Sequence, residues 1–312
     1  MVTMGRRLRG PCDAYAAHSV RGSGARGRGM PPRSNPTVRQ ARLGVELRKL
    51  REQAQVTARN AAALLGSNPV QMSHVESGRS GISEERIRRL VAHYGCSDER
   101  LIDALVDMAA ERGKGWWEKF RGVVDPSGLD LAETEGCAVR IRTLQVVHVP
   151  GLFQTEDHMR AAFRYVAPGW PKADSDAHVS FRLCRQEVIT GEPATPYDAV
   201  IHEAALRIRV GGRKVAAAQL ERILELSELP HVTVRVIPFD TEDFAGAGHS
   251  MLYFHGPVPQ LDTVQLDTAH GSVFLDAEPR LQQYQERLRR VDGTALKVAE
   301  SRNLINRIMR EL

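Results

Sequence analysis

Aromatic residues make up only 5% of the 312 positions, which argues against a single-strand nucleic-acid binder that stacks bases on rings. The four cysteines, Cys12, Cys96, Cys137 and Cys184, are far apart and form no CxxC pair. That excludes a disulfide framework and points to free thiols in a cytoplasmic protein. No stretch approaches the ~18 consecutive apolar residues of a membrane span. The arginines near the N-terminus have no apolar segment behind them, so no secretory signal is expected. Catalytic signatures are missing as well. There is no Walker sequence, no GxSxG elbow and no cysteine in a recognised nucleophile setting, and Gly246-Ala247-Gly248 is too short to cradle a phosphate. His202-Glu203 is not a zinc-protease motif, because position 206 is Leu. His249, His255 and His270, with Asp262 and Asp267, lack any recognised ligand spacing. We therefore expect no enzyme activity, no metal and no cofactor.

What the chain does have is 42% apolar residues, enough for real cores, and a length that suggests two domains. Its net charge of +5 is unevenly placed. Residues 1–35 hold seven arginines against one aspartate, and residues 36–113 hold twelve basic against ten acidic residues. The remainder has 24 basic and 27 acidic residues. A basic front half suits a polyanionic partner. Residues 1–35, rich in Gly, Arg, Ser and Pro, cannot bury enough apolar surface to offset their ordering entropy and are expected to be a disordered basic tail. Three readings of it stay open: an arm along phosphates, a tail without function, and a true start at Met30.

Residues 36–113 carry the pattern of five short helices. Thr37 caps the first, over about 38–55, with Val45, Leu47 and Leu50 inside. Thr57 caps the second, whose Ala61, Ala62, Leu64 and Leu65 form a small-residue face, and Gly66 ends it. Ser67 or Asn68 caps the third, with Pro69 in its first turn and Gly78 past its end. Ser83 opens a fourth, closed by Gly95, and Ser97 a fifth that stops near Gly113.

Two short helices joined by a Gly-containing turn form a helix-turn-helix unit. The spacing Thr57, Ala61, Leu65-Gly66, Met72-Ser73, Val75-Glu76, Gly78-Arg79 resembles the Xre-type, lambda-repressor-like family over about residues 38–110. That resemblance implies that the helix over about 68–77 reads a DNA major groove. Met72 and Val75 then pack inward, and Val70, Gln71, Ser73 and His74 point outward. Gln71 can make paired hydrogen bonds to adenine, Ser73 can donate or accept, and Val70 can meet a thymine methyl. His74 can reach a base edge or a phosphate. Arg79 and Arg59 are expected on phosphates, setting register, with Thr57 and Asn68 beside them. Glu76 would repel phosphates and is expected to turn inward and pair. Two departures weaken the contact set. Ala58 stands where the family often has a phosphate-touching Gln, and Pro69-Val70 replaces a more usual polar pair.

Residues 114–130, with Trp116-Trp117 and Asp125-Pro126-Ser127-Gly128, are expected to be a linker whose aromatics staple the two domains together. From 131 to 312, helices and strands alternate in an order that suggests an α+β domain around one mixed sheet. Strands are expected at 139–147, 199–203, 232–238, 250–254, 263–267 and 272–275. Helices are expected at 131–137, 156–165, 175–190, 215–226, 279–291 and 294–310. The segment Val149-Pro150-Gly151-Leu152-Phe153-Gln154-Thr155 is expected to make a turn that aims Leu152, Phe153 and Gln154 at the core or at a partner. Together with Arg182-x-x-Arg185-Gln186, His202-Glu203-Ala204-Ala205-Leu206, Val210-Gly211-Gly212 and Ala295-Leu296, it resembles a large actinobacterial family of such regulators with a C-terminal domain of unknown function. That resemblance implies an antitoxin-like transcriptional regulator often paired with a small protein encoded nearby. Pro150, Gly151, Leu152, Phe153 and Gln154 are the candidate partner-binding residues.

The sequence thus leads us to expect a cytoplasmic, nucleoid-associated protein that binds double-stranded DNA as a homodimer, with no membrane contact and a C-terminal domain that binds a small protein partner or a ligand. The alternatives that stay open are a sensor or enzyme in 131–312 with the front domain only autoregulating, and an adaptor that has lost DNA binding.

Overall fold

The computed structural model describes residues 35–110, 115–242, 244, 250–268 and 271–312, so the expected disorder of the basic tail lies outside the described residues. The front of the chain is all helical: α1 (Val38–Gln53), α2 (Ala58–Leu64), α3 (Pro69–Glu76), α4 (Glu84–His93) and α5 (Glu99–Ala110). The caps follow the side-chain chemistry. Thr37 forms a capping box with Gln40, and Thr57, Asn68 and Ser83 each accept a hydrogen bond from the backbone N–H three residues on. Gly66 and Gly78 take the left-handed conformation, at φ 61° and 73°, that lets the chain leave α2 and α3 sharply. Leu47, Ala61, Ala62, Met72, Ile87, Leu90 and Leu105 make the buried core of this bundle.

After a 3-10 turn (Trp116–Phe120) the chain enters α6 (Pro126–Cys137), then β1 (Arg140–Gln145), a second 3-10 turn (Gly151–Phe153), α7 (Glu156–Val166), α8 (Lys172–Thr190) and β2 (Tyr197–His202). It continues through α9 (Glu203–Arg207), α10 (Arg213–Leu226), β3 (Val232–Ile237), β4 (Met251–His255), β5 (Thr263–Thr268), β6 (Gly271–Leu275), α11 (Glu278–Thr294) and α12 (Val298–Arg310). The strands form one mixed sheet in the order β3-β2-β1-β4-β5-β6, with β1, β2 and β3 parallel and β4 to β6 antiparallel. A multi-domain arrangement, all-helical in front and α+β behind, is therefore what the chain adopts.

Alternation along the strands builds two apolar layers. Tyr197, Ala199, Ile201, Val232, Val234 and Val236 face a layer with Leu220, Ile223, Leu304 and Ile305 of α10 and α12. Val200, Ile237, Met251, Tyr253 and Val264 face Leu281, Leu288 and Val291 of α11.

Two sequence expectations need revision. Residues 114–130 do not form a bare linker: Asp125 caps α6 by accepting from Gly128 N at 3.0 Å, which starts that helix five residues early. Trp116 packs 5.5 Å from Phe181 of α8 and 6.1 Å from Phe120, so the aromatic cluster belongs to the body of the second region instead of stapling the two regions. The junction is made elsewhere. Val258 and Leu261, between β4 and β5, join the apolar core of the helical bundle. Arg42 of α1, almost fully buried, donates to the carbonyls of Gln260 and Asp276 and pairs with the Asp276 carboxylate at 3.0 Å. Val38 N donates to Asp130 Oδ1 of α6 at 3.2 Å. Cys96, Cys137 and Cys184 are free thiols, while Cys12 lies outside the described residues. Among the described residues no helix is long and apolar enough to cross a membrane.

Candidate nucleic-acid interface

α3 is short, and three contacts fix its position. Met72 and Val75 bury its inner stripe, at 1% and 6% exposure. Gly44 of α1 lies so close that a Cβ there would stand 2.5 Å from the Glu76 carbonyl oxygen. The inward turn expected of Glu76 is realised through Arg51 of α1, whose Nε and Nη2 donate to the two carboxylate oxygens at 2.5 and 3.0 Å. Both side chains are nearly buried, at 10% and 8% exposure. The Glu76 hydrogen bond outweighs burial and holds the Arg51 guanidinium above its ordinary pKa range. Arg51 also donates to Val56 O at 2.8 Å, tying the pair to the α1–α2 connection. Removing Glu76 from the outer surface leaves that surface free of carboxylates contributed by α3.

The opposite side of α3 carries the residues predicted to read bases. Val70 is 63% exposed, Ser73 is exposed, and Gln71 and His74 are half-buried. Among the described residues the side chains of Gln71, Ser73 and His74 have no hydrogen-bond partner, so their donors and acceptors are open to a ligand. Arg59 on α2 and Arg79 just past α3 are exposed, and neither has a carboxylate within 4 Å among the described residues. Thr57 and Asn68 are engaged as caps, accepting from Asn60 N at 3.1 Å and Gln71 N at 2.8 Å. What they can still offer a phosphate is the Thr57 hydroxyl proton and the Asn68 amide protons. The structure therefore brings Val70, Gln71, Ser73 and His74 onto one helix face, flanked by Arg59 and Arg79.

The 150–154 segment has a different environment. Of its two possible destinations, core or partner, Leu152 and Phe153 take the core, at 1% and 0% exposure, with Phe153 edge-on to Tyr197 at 5.1 Å. Gln154 is buried and binds Val149 O through Nε2 at 2.9 Å, and its Oε1 accepts from Arg182 Nη1 at 3.0 Å. Gly151 faces the Arg185 guanidinium, where a Cβ would stand 3.7 Å from Nη2. Gly151, Leu152 and Gln154 form one wall of a groove of about 1350 Å³ that also takes in α7, α8 and the open half of the sheet. Sequence reasoning gave no role to this groove, to Arg51 or to Arg42. Arg182 entered only as part of a family pattern, and its partners lie 28 or more positions away or on other elements, where no local periodicity marks them. Of the histidines considered as metal ligands, His255 lies 3.4 Å from Asp262, which also accepts from Tyr253 Oη and Gly256 N. His249 and His270 lie outside the described residues.

The profile of a helix-turn-helix domain matches residues 42–105, which span α1 to α5. The profile of a domain of unknown function (DUF5753) matches residues 129–307, more than half of the chain. The search of curated proteins and the search of solved structures returned no match. The chain belongs to the DUF5753 family, and it carries that domain behind an N-terminal DNA-binding helix-turn-helix domain.

Proposed function

We propose that this protein is a sequence-specific, Xre-type transcriptional regulator of antitoxin-like character. The observation that carries the reading is the free polar row on α3, with Gln71, Ser73 and His74 unpartnered while the one acid of the helix is held inward by Arg51. In this reading Gln71 reads adenine, Val70 meets a thymine methyl, and Ser73 and His74 complete the base contacts. Arg59 and Arg79, with Thr57 and Asn68, set register on phosphates. Because only three polar side chains reach bases, specificity also draws on DNA shape and on a second copy placing its α3 one turn away, about 34 Å.

The C-terminal region supplies control by binding an effector, either a small protein or a ligand. The shared core at Val258 and Leu261 and the Arg42 contacts give such an effector a mechanical route to α1, which packs on α3. An effector that prefers one arrangement of this junction shifts DNA affinity by its differential binding energy. Nuclease footprinting of the full chain on the DNA upstream of its own gene tests the reading. Two protected major-groove segments one helical turn apart are expected, and no protected segment at any protein concentration would overturn it.

A further inference from the structure

The large groove is built unlike an apolar crevice. Its floor is the half of the sheet that α10 and α12 leave open, where register places Thr143, Leu252 and Gln265 side by side. Thr143 and Gln145 are buried there and line the groove, while Gln265 lies fully buried behind it and bonds to Asp267 and Ser272 at its edge. One wall is His158 of α7, 5% exposed, whose Nδ1 has no hydrogen-bond partner among the described residues. Burial, then the nearby Arg182 charge, pushes the His158 pKa down to about 4, so it stands neutral at physiological pH. The other wall is Arg182 of α8, whose guanidinium donates to Gln154 Oε1 at 3.0 Å and lies 4.5 Å from the Phe163 ring centre.

No carboxylate lies within 4 Å of Arg182 among the described residues. Three acids line the groove; Asp174 is exposed at the start of α8, and the other two are otherwise engaged. Asp267 accepts from Gln265 Nε2 at 2.6 Å and Ser272 Oγ at 2.9 Å, and Asp125 caps α6. The neighbouring Arg185 is neutralised by a two-pronged pair with Glu135 at 2.7 and 2.8 Å. Burial, with the Arg185 charge second, pulls the Arg182 pKa down to about 10, which still leaves it charged. A half-buried cation with one neutral hydrogen-bond partner, beside a buried imidazole whose Nδ1 is unpartnered, costs stability unless something arrives to pair with it. At the rim, Trp170 packs on His178 at 4.2 Å between ring centres and 5.5 Å from Phe163, and it remains 41% exposed.

We propose that this groove binds a small organic oxyanion, a carboxylate or phosphate carried on a flat apolar body, with the oxyanion on Arg182 and His158 and the body against Trp170. Guanidinium forks suit either oxyanion. The proposal rests on the reading that the C-terminal region takes an effector, and it names the chemistry of that effector.

The test uses the full chain and the fluorescence of 8-anilinonaphthalene-1-sulfonate, displaced in turn by 2-naphthoate, 2-naphthyl phosphate and neutral 2-naphthamide. One of the two anions is expected to displace the probe at a concentration about tenfold lower than the amide does, and whichever anion does so identifies the oxyanion. Arg182→Gln is expected to remove that preference and Arg182→Lys to keep part of it. Equal displacement by all three competitors, no saturable probe binding, or an undiminished preference in Arg182→Gln would each overturn the proposal. Should Arg182→Gln fail to fold, the anion preference of the wild-type chain decides the matter alone. The same preparations are footprinted on DNA. Protection retained without anion preference removes the oxyanion ligand and leaves the regulator reading standing, whereas loss of protection in the wild type counts against the regulator reading itself.

Discussion

The outward face of α3 and the groove beside α8 both present polar side chains whose charge or hydrogen-bonding capacity is not fully met within the described protein, but they are made differently. The α3 face comes from one eight-residue helix, and its members lie within five consecutive positions. The groove is assembled from α7, α8, the 3-10 turn before them and five strands that lie far apart in sequence. The first is exposed, where an unpaired Gln or Ser costs nothing because water serves it. The second is recessed, with His158 buried and Arg182 half-buried, so both forfeit solvation. An exposed face can be kept for any partner, whereas a recessed one is costly to keep without a ligand.

Four outcomes break or sharpen this contrast. The largest effect is expected at the anchor of the first region. Arg51→Ala strands the Glu76 carboxylate against α1 and is expected to destabilise the helical bundle by about 3–5 kcal/mol, measured by urea unfolding. Arg51→Ala together with Glu76→Gln should restore part of that loss, since no charge is then left unpaired.

In the second region the expected effect is set by pH. The folded pKa of His158, about 4, lies below the ~6.5 of an unfolded histidine. Its contribution is therefore fully present above pH ~6.5 and is lost as pH falls toward 4, amounting to about 2 kcal/mol between pH 7.5 and pH 5. His158→Gln should lose that much less stability than the wild type over the same interval. Parallel pH profiles for the two proteins would show that the imidazole is solvated and the groove is not a buried site. The smallest effect is expected at Arg79. Arg79→Ala should weaken binding to all DNA sequences alike and reduce the slope of log affinity against log salt by roughly 0.9, the share of one phosphate. A sequence-dependent loss would instead make Arg79 a base reader.

The same contrast explains what the sequence made legible. Capping residues, left-handed glycines and apolar spacing are local signals. They placed α1 to α4 and the start of α5 within a residue or two, and the six strands seen among the described residues all fall where strands were expected. The inward turn of Glu76 followed from charge alone, but its partner did not, because Arg51 lies 25 positions earlier and an arginine on a helix marks no destination. The junction through Arg42, Val258 and Leu261 was invisible for the same reason. Asp125-Pro126-Ser127-Gly128 had the composition of a loop and also that of a helix start, and the packing of α6 on α1 and α8 decided between them. At 149–155 the pattern marked a distinctive segment but not its direction. The sheet drew Leu152 and Phe153 inward and left Gln154 to hold Arg182.

The central claim, that the α3 face reads bases, is tested most directly by measuring the affinity of wild type and of Gln71→Ala with His74→Ala for the footprinted site and for unrelated DNA at one salt concentration. The account predicts that the double variant keeps its fold and its affinity for unrelated DNA but loses about 2–4 kcal/mol on the specific site. Unchanged discrimination between the two DNAs would contradict it.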